Sequence, residues 1–176
     1  AIFYFVIRFC GAVVVNSYKC WALPDIPAIG PEHDLTAILC RSISICEMEF
    51  EAGDVLVVAQ KIISKSEGRQ IHLSKVKPSE KACKLAAATG RDPRLVEVIL
   101  RESNEVVLAS RAALIMEHRT GVVCANAGVD QSNTVGGLEG EDTVILLPED
   151  SDRSARVLRD TIKKRTGAEI GVIIAD

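Results

Sequence analysis

The stretch GDVLVVAQKIISKSEG, residues 53–68, contains the clearest change of pattern in the chain. A Gly-Asp turn signal is followed without a break by the apolar run VLVVA. Such a run is typical of a strand that is buried on both faces of a sheet. Because polar and cationic residues begin at once with Gln60 and Lys61, the strand is predicted to end at Ala59.

Helices and further strands are predicted on both sides of this stretch. The predicted helices are residues 34–42, 79–89, 92–102 and 152–165, with N-caps at Asp34 and Asp152 and stops at Gly90 and Gly167. The other predicted strands are residues 144–147, residues 170–175 and a hairpin that pairs 112–117 with 121–125. Together these elements predict an α/β protein with a mixed sheet and flanking helices.

Composition places the chain among globular proteins. Its 176 residues suggest one domain, and 48% of them are apolar. The 21 Lys and Arg residues against 24 Asp and Glu residues give a net charge of −3, which argues against nucleic acid as a partner. The six cysteines include no CxxC pair, and the three histidines have no metal-binding spacing with them. A reducing, cytoplasmic setting is therefore expected.

The two ends of the chain differ from its middle. Residues 1–20 are apolar and aromatic, but Arg8 interrupts them too early for a membrane span, so no membrane partner is predicted. Three interpretations remain open: a membrane-touching leader, an edge strand at residues 13–15 with a frayed leader, or sequence foreign to the domain. The edge strand with a frayed leader and the foreign sequence are favoured together. Residues 1–20 are therefore predicted to be dispensable for the catalytic fold. Since Asp176 directly follows a core strand, residues 21–176 are expected to be the N-terminal part of a longer domain.

Polar residues that could carry chemistry follow three of the predicted strands. The chain has no GxxxxGK(S/T), GxGxxG or HExxH motif, so a nucleotide site would have to be built in another way. The candidates are Gln60, Lys61, Lys65, Asp130, Asn133 and Asp176. Ligands of α/β proteins gather at the carboxyl ends of strands, where lysine and carboxylate would suit a metal–phosphate site. Alternatively, the lysines are solvated, Asp130 makes an Asx turn and Asp176 is only a terminus.

Six longer motifs occur in a fixed order over residues 22–176. They are LPDIP, GDVLVVAQKIISKSEGR, DPRLVEVILRES, VCANAGVDQSN, LLPEDSDRSA and GVIIAD. In this order they resemble the motifs of the coenzyme F(420)-0:L-glutamate ligase family. The resemblance implies a GTP-dependent ligase that joins L-glutamate to the phospholactyl carboxylate of coenzyme F(420)-0 through an acyl phosphate. It also implies a divalent metal, Mg²⁺ or Mn²⁺, and a homodimer.

Motif by motif, the resemblance assigns roles to particular residues. Nucleotide contacts fall on Leu23, Pro24, Asp25, Ile26, Gln60 and Lys61, with Lys65 at a phosphate and Asn133 also at GTP. Metal ligation falls on Asp130 and Asp176, and no residue is assigned as catalytic. The family continues beyond the position of Asp176 with a hydroxyl residue and a Gly-Arg segment. The alternative function is therefore a catalytically incomplete fragment that binds nucleotide and metal and needs its missing part or a partner chain.

Overall fold

The computed structural model of the chain describes residues 5–10, 17–131 and 142–175. They form two compact units, although the length of the chain predicts one domain. The first unit comprises Ala1–Gly68 and Pro148–Asp176, and the second comprises Arg69–Leu147. Helices and a mixed sheet are both present, so the predicted α/β class is confirmed.

Nine strands and five helices make up the regular structure of the described residues. The strands are β1 (Phe5–Cys10), β2 (Ser17–Ala22), β3 (Val55–Ala59), β4 (Gln70–His72), β5 (Ser103–Ala109), β6 (Leu114–His118), β7 (Val123–Ala125), β8 (Thr143–Ile145) and β9 (Gly171–Ala175). The helices are α1 (Leu35–Ile45), α2 (Gln60–Ser66), α3 (Glu80–Thr89), α4 (Pro93–Arg101) and α5 (Ser151–Thr166). None of these helices is both long enough and apolar enough to cross a membrane.

The first unit is built on a four-stranded mixed sheet in the order β2, β1, β3, β9. β1 runs antiparallel to β2 and to β3, whereas β3 and β9 are parallel, with Leu56 opposite Val172. The predicted strand β3 is confirmed at its predicted bounds. Leu56 and Val58 are fully buried in the core, and the alternate residues of the strand are half-buried.

β9 is a strand, as predicted, but it is less buried than its apolar sequence suggests. Among the described strands it borders the sheet, and its residues alternate between exposed and half-buried. The side chain of Ile173 is 51% exposed. An apolar run predicts burial only where both faces of the strand are covered, and the face that carries Ile173 is half exposed.

β1 and β2 show that part of residues 1–20, the segment predicted to be dispensable, is paired in the main sheet. β1 pairs with β3 in the register Val6 to Leu56, and Val6 is fully buried in the core of the first unit. Residues 5–10 of the apolar leader therefore form a strand of the main sheet, because they have a partner about fifty residues further along the chain. The strand predicted at residues 13–15 lies outside the described residues.

Arg8, which interrupts the apolar leader, is paired with a buried carboxylate. Its Nε and Nη2 atoms donate to Asp54 Oδ1 and Oδ2 at 2.8 and 3.0 Å, and Asp54 has 0% exposure. The Glu51 N–H also donates to Asp54 Oδ2, at 2.9 Å. The guanidinium lies over Trp21, 5.7 Å from the ring centroid. Because a buried charge is tolerated only when it is paired, Arg8 ties the β1–β2 hairpin to the start of β3.

Three helices, α1, α2 and α5, pack in the core of the first unit. N-caps were predicted for α1 and α5, and one of the two predictions is correct. Asp34 caps α1, as predicted, since its Oδ1 atom accepts a backbone N–H at 2.9 Å. The prediction of Asp152 as the cap of α5 is wrong, because Asp150 Oδ1 accepts the backbone N–H at 2.8 Å. Asp152 lies instead in the first turn, where an acidic residue is also favourable. Leu158 and Ile162 are the buried residues of α5, and Ala155 on the same helix is half-buried.

The second unit has two small sheets and two helices. β5, β6 and β7 form an antiparallel sheet, β4 pairs with β8, and α4 contacts both α3 and β5. The predicted β6–β7 hairpin is confirmed, with Met116 opposite Cys124. The caps Ser79 and Asp92 and the left-handed stop at Gly90 agree with the predicted bounds of α3 and α4. The strands β4 and β5 were not predicted.

Candidate functional site

The LPDI segment of the first unit is anchored at both of its ends. Leu23 is buried in the core and Ile26 packs against that core, whereas Pro24 and Asp25 between them are exposed. The carbonyl of Pro24 accepts a hydrogen bond from the hydroxyl of Ser42, which is buried on α1. Asp25 has a positive φ of 55°. A fixed, exposed backbone turn of this kind can present peptide groups to a ligand.

Gln60 and Lys61 begin a helix directly, without an intervening loop. α2 starts where β3 ends, and Gln60 is buried on it. The Nε2 atom of Gln60 donates to the hydroxyl of Ser64 one turn later, at 2.6 Å, and Ser64 is fully buried. This hydrogen bond fixes the orientation of the Gln60 amide. Lys61 is half-buried on the same helix.

Lys65 lies in the last turn of α2 and is only 6% exposed. The alternative in which this lysine is solvated is therefore wrong. The helix places Lys65 one turn after Lys61, on a side that packs inward, and the residues from Ile62 to Lys65 are all buried. A buried ammonium interacts more strongly with an anion than a solvated one, because the surrounding dielectric is lower. Burial thus suits Lys65 for neutralising phosphate.

The segment after β7 forms a left-handed turn in the second unit. Asn126, Ala127 and Gly128 have φ values of 52°, 52° and 68°, and the Val129 N–H donates to the Asn126 carbonyl at 3.0 Å. A Cβ atom at Gly128 would lie 2.6 Å from the side chain of Leu147, so no larger residue fits without a shift.

Asp130 follows this turn with its backbone held on both sides. Its N–H donates to the Ile145 carbonyl at 2.9 Å, and the Ile145 N–H donates back at 2.8 Å. The Asp130 residue is half-buried. Asn133 and Asp176 lie outside the described residues.

The structure groups most of the predicted nucleotide contacts in one unit. Seven of them lie in the first unit: Leu23, Pro24, Asp25, Ile26, Gln60, Lys61 and Lys65. Asp130 belongs to the second unit. Within residues 5–10, 17–131 and 142–175, no group of three His, Cys, Asp or Glu side chains could hold a metal ion. Metal ligation by Asp130 and Asp176 therefore stays a prediction.

Ser42 and Ser64 were not predicted from the sequence, although each contacts a predicted nucleotide residue. Both are small polar residues on the buried faces of helices, where a hydroxyl requires a hydrogen-bond partner. Their sequence signal is weak, because serine is ordinary on helix surfaces as well. A serine at a position of the apolar stripe is the pattern that would have indicated them.

A charge cluster in the second unit consists of the buried residues Glu102 and His118, the half-buried Arg69 and the exposed Arg119. Glu102 Oε2 lies 2.7 Å from an Arg69 nitrogen, 3.1 Å from an Arg119 nitrogen and 3.7 Å from His118 Nε2. The Thr120 N–H donates to His118 Nδ1 at 3.2 Å, which assigns the ring proton to Nε2. Burial lowers the pKa of His118, and the neighbouring Glu102 opposes that shift. The cluster joins the end of α4 to the β6–β7 turn.

Comparison with known proteins adds evidence of a different kind. Residues 25–176 match the family model described as F420-0:Gamma-glutamyl ligase. "Coenzyme F420:L-glutamate ligase" of Methanopyrus kandleri is 47% identical over 148 residues, which are 84% of this chain and 55% of that protein. The protein of the same name from Methanothermobacter thermautotrophicus is 39% identical over 151 residues, 86% of this chain and 58% of that protein. The one from Methanocaldococcus jannaschii is 43% identical over 132 residues, 75% of this chain and 51% of that protein.

The chain spans about half the length of the curated relatives that it matches. The family model, by contrast, matches the chain over nearly all of its length, including the LPDI segment from Asp25 onward, α2 and the turn after β7. On this match, the chain belongs to the F420-0:gamma-glutamyl ligase family.

Proposed function

We propose that this chain takes part in the GTP-dependent ligation of L-glutamate to the phospholactyl carboxylate of coenzyme F(420)-0. The proposal draws on the family match over residues 25–176 and on the relatives that are named coenzyme F420:L-glutamate ligases. The observation that carries it most directly is the arrangement of the first unit. There, the exposed LPDI turn and the helix with Gln60 and Lys65 are each held by a buried serine.

Amide formation from a free carboxylate requires activation, because the carboxylate oxygen is a poor leaving group. In the proposed reaction, the carboxylate attacks the γ-phosphorus of GTP, GDP leaves and an acyl phosphate forms. The amine of glutamate then attacks the acyl carbon, and phosphate leaves with the C–O electron pair. Such chemistry depends mainly on positioning and on neutralisation of phosphate charge. Lys65 would supply positive charge, and Pro24, Asp25 and Gln60 would hold the nucleotide.

A divalent metal, Mg²⁺ or Mn²⁺, forms part of the proposal. Asp130 fits such an ion chemically, since a carboxylate is a hard oxygen ligand and the backbone of Asp130 is fixed by Ile145 on both sides. Asp176 is the second metal ligand that the resemblance implies. When bound, the metal would offset negative charge on the phosphate oxygens of GTP.

A homodimer located in the cytoplasm is also proposed, on the basis of the family resemblance and of the cysteine pattern. Sedimentation of the purified chain would test the dimer, since a monomer at all concentrations would contradict it. Nucleic acid and membrane have no place in the proposed function.

The test is an assay of the chain with GTP, L-glutamate, Mn²⁺ and coenzyme F(420)-0, followed by mass spectrometry of the deazaflavin product. The proposal expects one added glutamyl residue and release of phosphate, both dependent on GTP. ATP in place of GTP is the matched control and should give much less product. A chain that forms no product, does not bind GTP and does not bind the metal would contradict the proposal.

A second candidate function is a nucleotide- and metal-binding module that is catalytically incomplete by itself. It is favoured by the grouping of seven predicted nucleotide contacts in the first unit, which nucleotide binding alone would use. Tight GTP binding without product in the same assay would select this function over the complete ligase. Restoration of product by addition of a partner chain would then show what the module lacks.

A further inference from the structure

The turn formed by Asn126, Ala127 and Gly128 has an unusual backbone. Three consecutive residues adopt left-handed φ values, and Ala127 does so while fully buried. L-residues other than glycine, asparagine and aspartate rarely take this conformation, because Cβ crowds the following carbonyl. The turn is held from outside by Leu147, which contacts Gly128, and by the Val129 N–H bond to Asn126. Strain of this kind persists only where the surroundings impose it, and it is concentrated at binding sites.

Asn126 also carries an unsatisfied polar atom. Its side-chain oxygen Oδ1 is buried and has no hydrogen-bond partner among the described residues. The residue as a whole is half-buried. The left-handed φ explains a glycine at this position at least as well as an asparagine. A buried amide oxygen without a partner lowers stability, so the backbone alone gives no reason for the amide.

A carbonyl oxygen can only accept hydrogen bonds, and this restricts what Asn126 could bind. The phosphates of GTP and the acceptor carboxylate are themselves acceptors, so they would be repelled by Oδ1. The amino group of L-glutamate is an N–H donor, and in the ammonium form it carries positive charge as well. We propose that Asn126 Oδ1 binds the amino group of the glutamate substrate and thereby orients it. This inference rests on the proposed ligase function.

The role inferred for Asn126 is one of substrate binding and orientation, without proton transfer. An amide oxygen is too weak a base to remove a proton from an ammonium group. By accepting one N–H, Oδ1 fixes the direction in which the nitrogen lone pair points once the amine is neutral. Orientation of this kind contributes to rate by limiting the arrangements that the reacting groups can adopt.

The decisive variants are Asn126→Gly and Asn126→Asp. Glycine tolerates the left-handed φ and removes the amide, so Asn126→Gly should fold with an unchanged or higher Tm. Aspartate keeps an oxygen at the same place and also tolerates this backbone. Asn104→Ala is the matched control, since the Asn104 amide donates to Glu117 at 2.8 Å on the exposed surface.

Binding would be measured by saturation-transfer NMR with L-glutamate and with glutarate, which lacks only the amino group. Wild type should bind glutamate more tightly than glutarate. Asn126→Gly should lower the affinity for glutamate at least about tenfold and should leave the affinities for glutarate and GTP within about twofold of wild type. Asn126→Asp should retain glutamate binding, and Asn104→Ala should behave as wild type.

The other outcomes each decide the question. Equal glutamate affinity in wild type and Asn126→Gly would overturn the inference, and so would a variant that fails to fold, because the amide would then be structural. If Asn126→Gly lost Mn²⁺ binding and kept its glutamate affinity, the inference would be overturned, and the ligand of Oδ1 would be a metal cation. Wild type that binds GTP but not glutamate would overturn the inference alone. Wild type that binds neither would overturn the proposed function together with it.

Discussion

His118 is the residue whose charge state is most constrained by its surroundings. Its side chain is almost fully buried, and burial disfavours the imidazolium, so the pKa lies below the ordinary value of 6.5. Glu102 favours the charged form, whereas Arg119 and Arg69 oppose it. The neutral ring is therefore the form that the folded state prefers.

This preference predicts how stability depends on pH. The unfolded state takes up the proton at about pH 6.5 and the folded state only at lower pH, so the unfolded state binds more protons between the two values. The free energy of unfolding should be unaffected by His118 above pH 7 and should fall as the pH drops below 6.5. Urea unfolding of wild type and of His118→Gln between pH 7.5 and 5 would measure how the free energy of unfolding depends on pH.

The carboxylates that are stabilised in the folded state act in a different pH range. The pKa values of Asp34, Asp92, Glu97 and Glu169 are lowered mainly by hydrogen bonds, so their contribution is lost only near and below their ordinary values of 3.8 to 4.5. A loss of stability between pH 6.5 and 5 that is smaller in His118→Gln is thus the expected signature. The same slope in both proteins would contradict it.

At the level of elements, the β1–β2 hairpin is the part of the fold with the most direct test. Removing one partner of a buried ion pair leaves the other charge uncompensated. Arg8→Met should therefore destabilise the protein by about 3 kcal/mol, near the lower end of such effects because the Arg8 side chain is 23% exposed. Lys19, exposed on β2 opposite Arg8, gives the control, and Lys19→Met should change stability by less than about 0.5 kcal/mol.

The double variant Arg8→Met, Asp54→Leu separates loss of packing from loss of charge compensation. It should recover part of the stability, because an apolar pair carries no desolvation cost, whereas the Glu51 N–H loses its acceptor. Chemical denaturation provides the measurement. Arg8→Met with wild-type stability would show that the hairpin is dispensable, as the sequence had suggested.

The start of α5 offers a second test at this scale. Asp150 accepts the N-cap hydrogen bond, so Asp150→Ala should cost about 1 kcal/mol. Asp152, two residues later, lies in the first turn, where its charge is favourable to the helix dipole, and Asp152→Ala should cost about half as much or less. Thermal unfolding of the two variants would compare them directly. A larger loss for Asp152→Ala would restore the cap predicted from the sequence.

The elements that could be predicted from the sequence are those with local signals. β3 has an uninterrupted apolar run, α3 and α4 have a cap at one end, and the β6–β7 hairpin has a turn between two short runs. β1 could not be predicted, because its strand character depends on pairing with β3, about fifty residues away. β5 begins two residues after α4 ends, with no turn residue between them, so no strand was predicted there.

In the candidate site, too, features with a local sequence signal could be predicted, and features that depend on the folded structure could not. The residue types of the LPDI segment, Gln60 and Lys65 could be recognised because they stand in long motifs. Burial of Lys65 could not, since it depends on which face of α2 packs inward. The unsatisfied Oδ1 of Asn126 could not be predicted either, because the hydrogen-bond partners of an atom depend on the folded structure. The sequence thus indicated which residue types could bind a nucleotide, and the structure showed how those residues are buried and hydrogen-bonded.

At the scale of the whole molecule, the central claim is the activation of a carboxylate by GTP before glutamate attacks it. The most direct measurement uses coenzyme F(420)-0 whose phospholactyl carboxylate is labelled with ¹⁸O, together with GTP, L-glutamate and Mn²⁺. If an acyl phosphate forms, one labelled oxygen must pass into each phosphate released as the amide forms, and mass spectrometry of phosphate would detect it. Amide product accompanied by unlabelled phosphate would contradict the account.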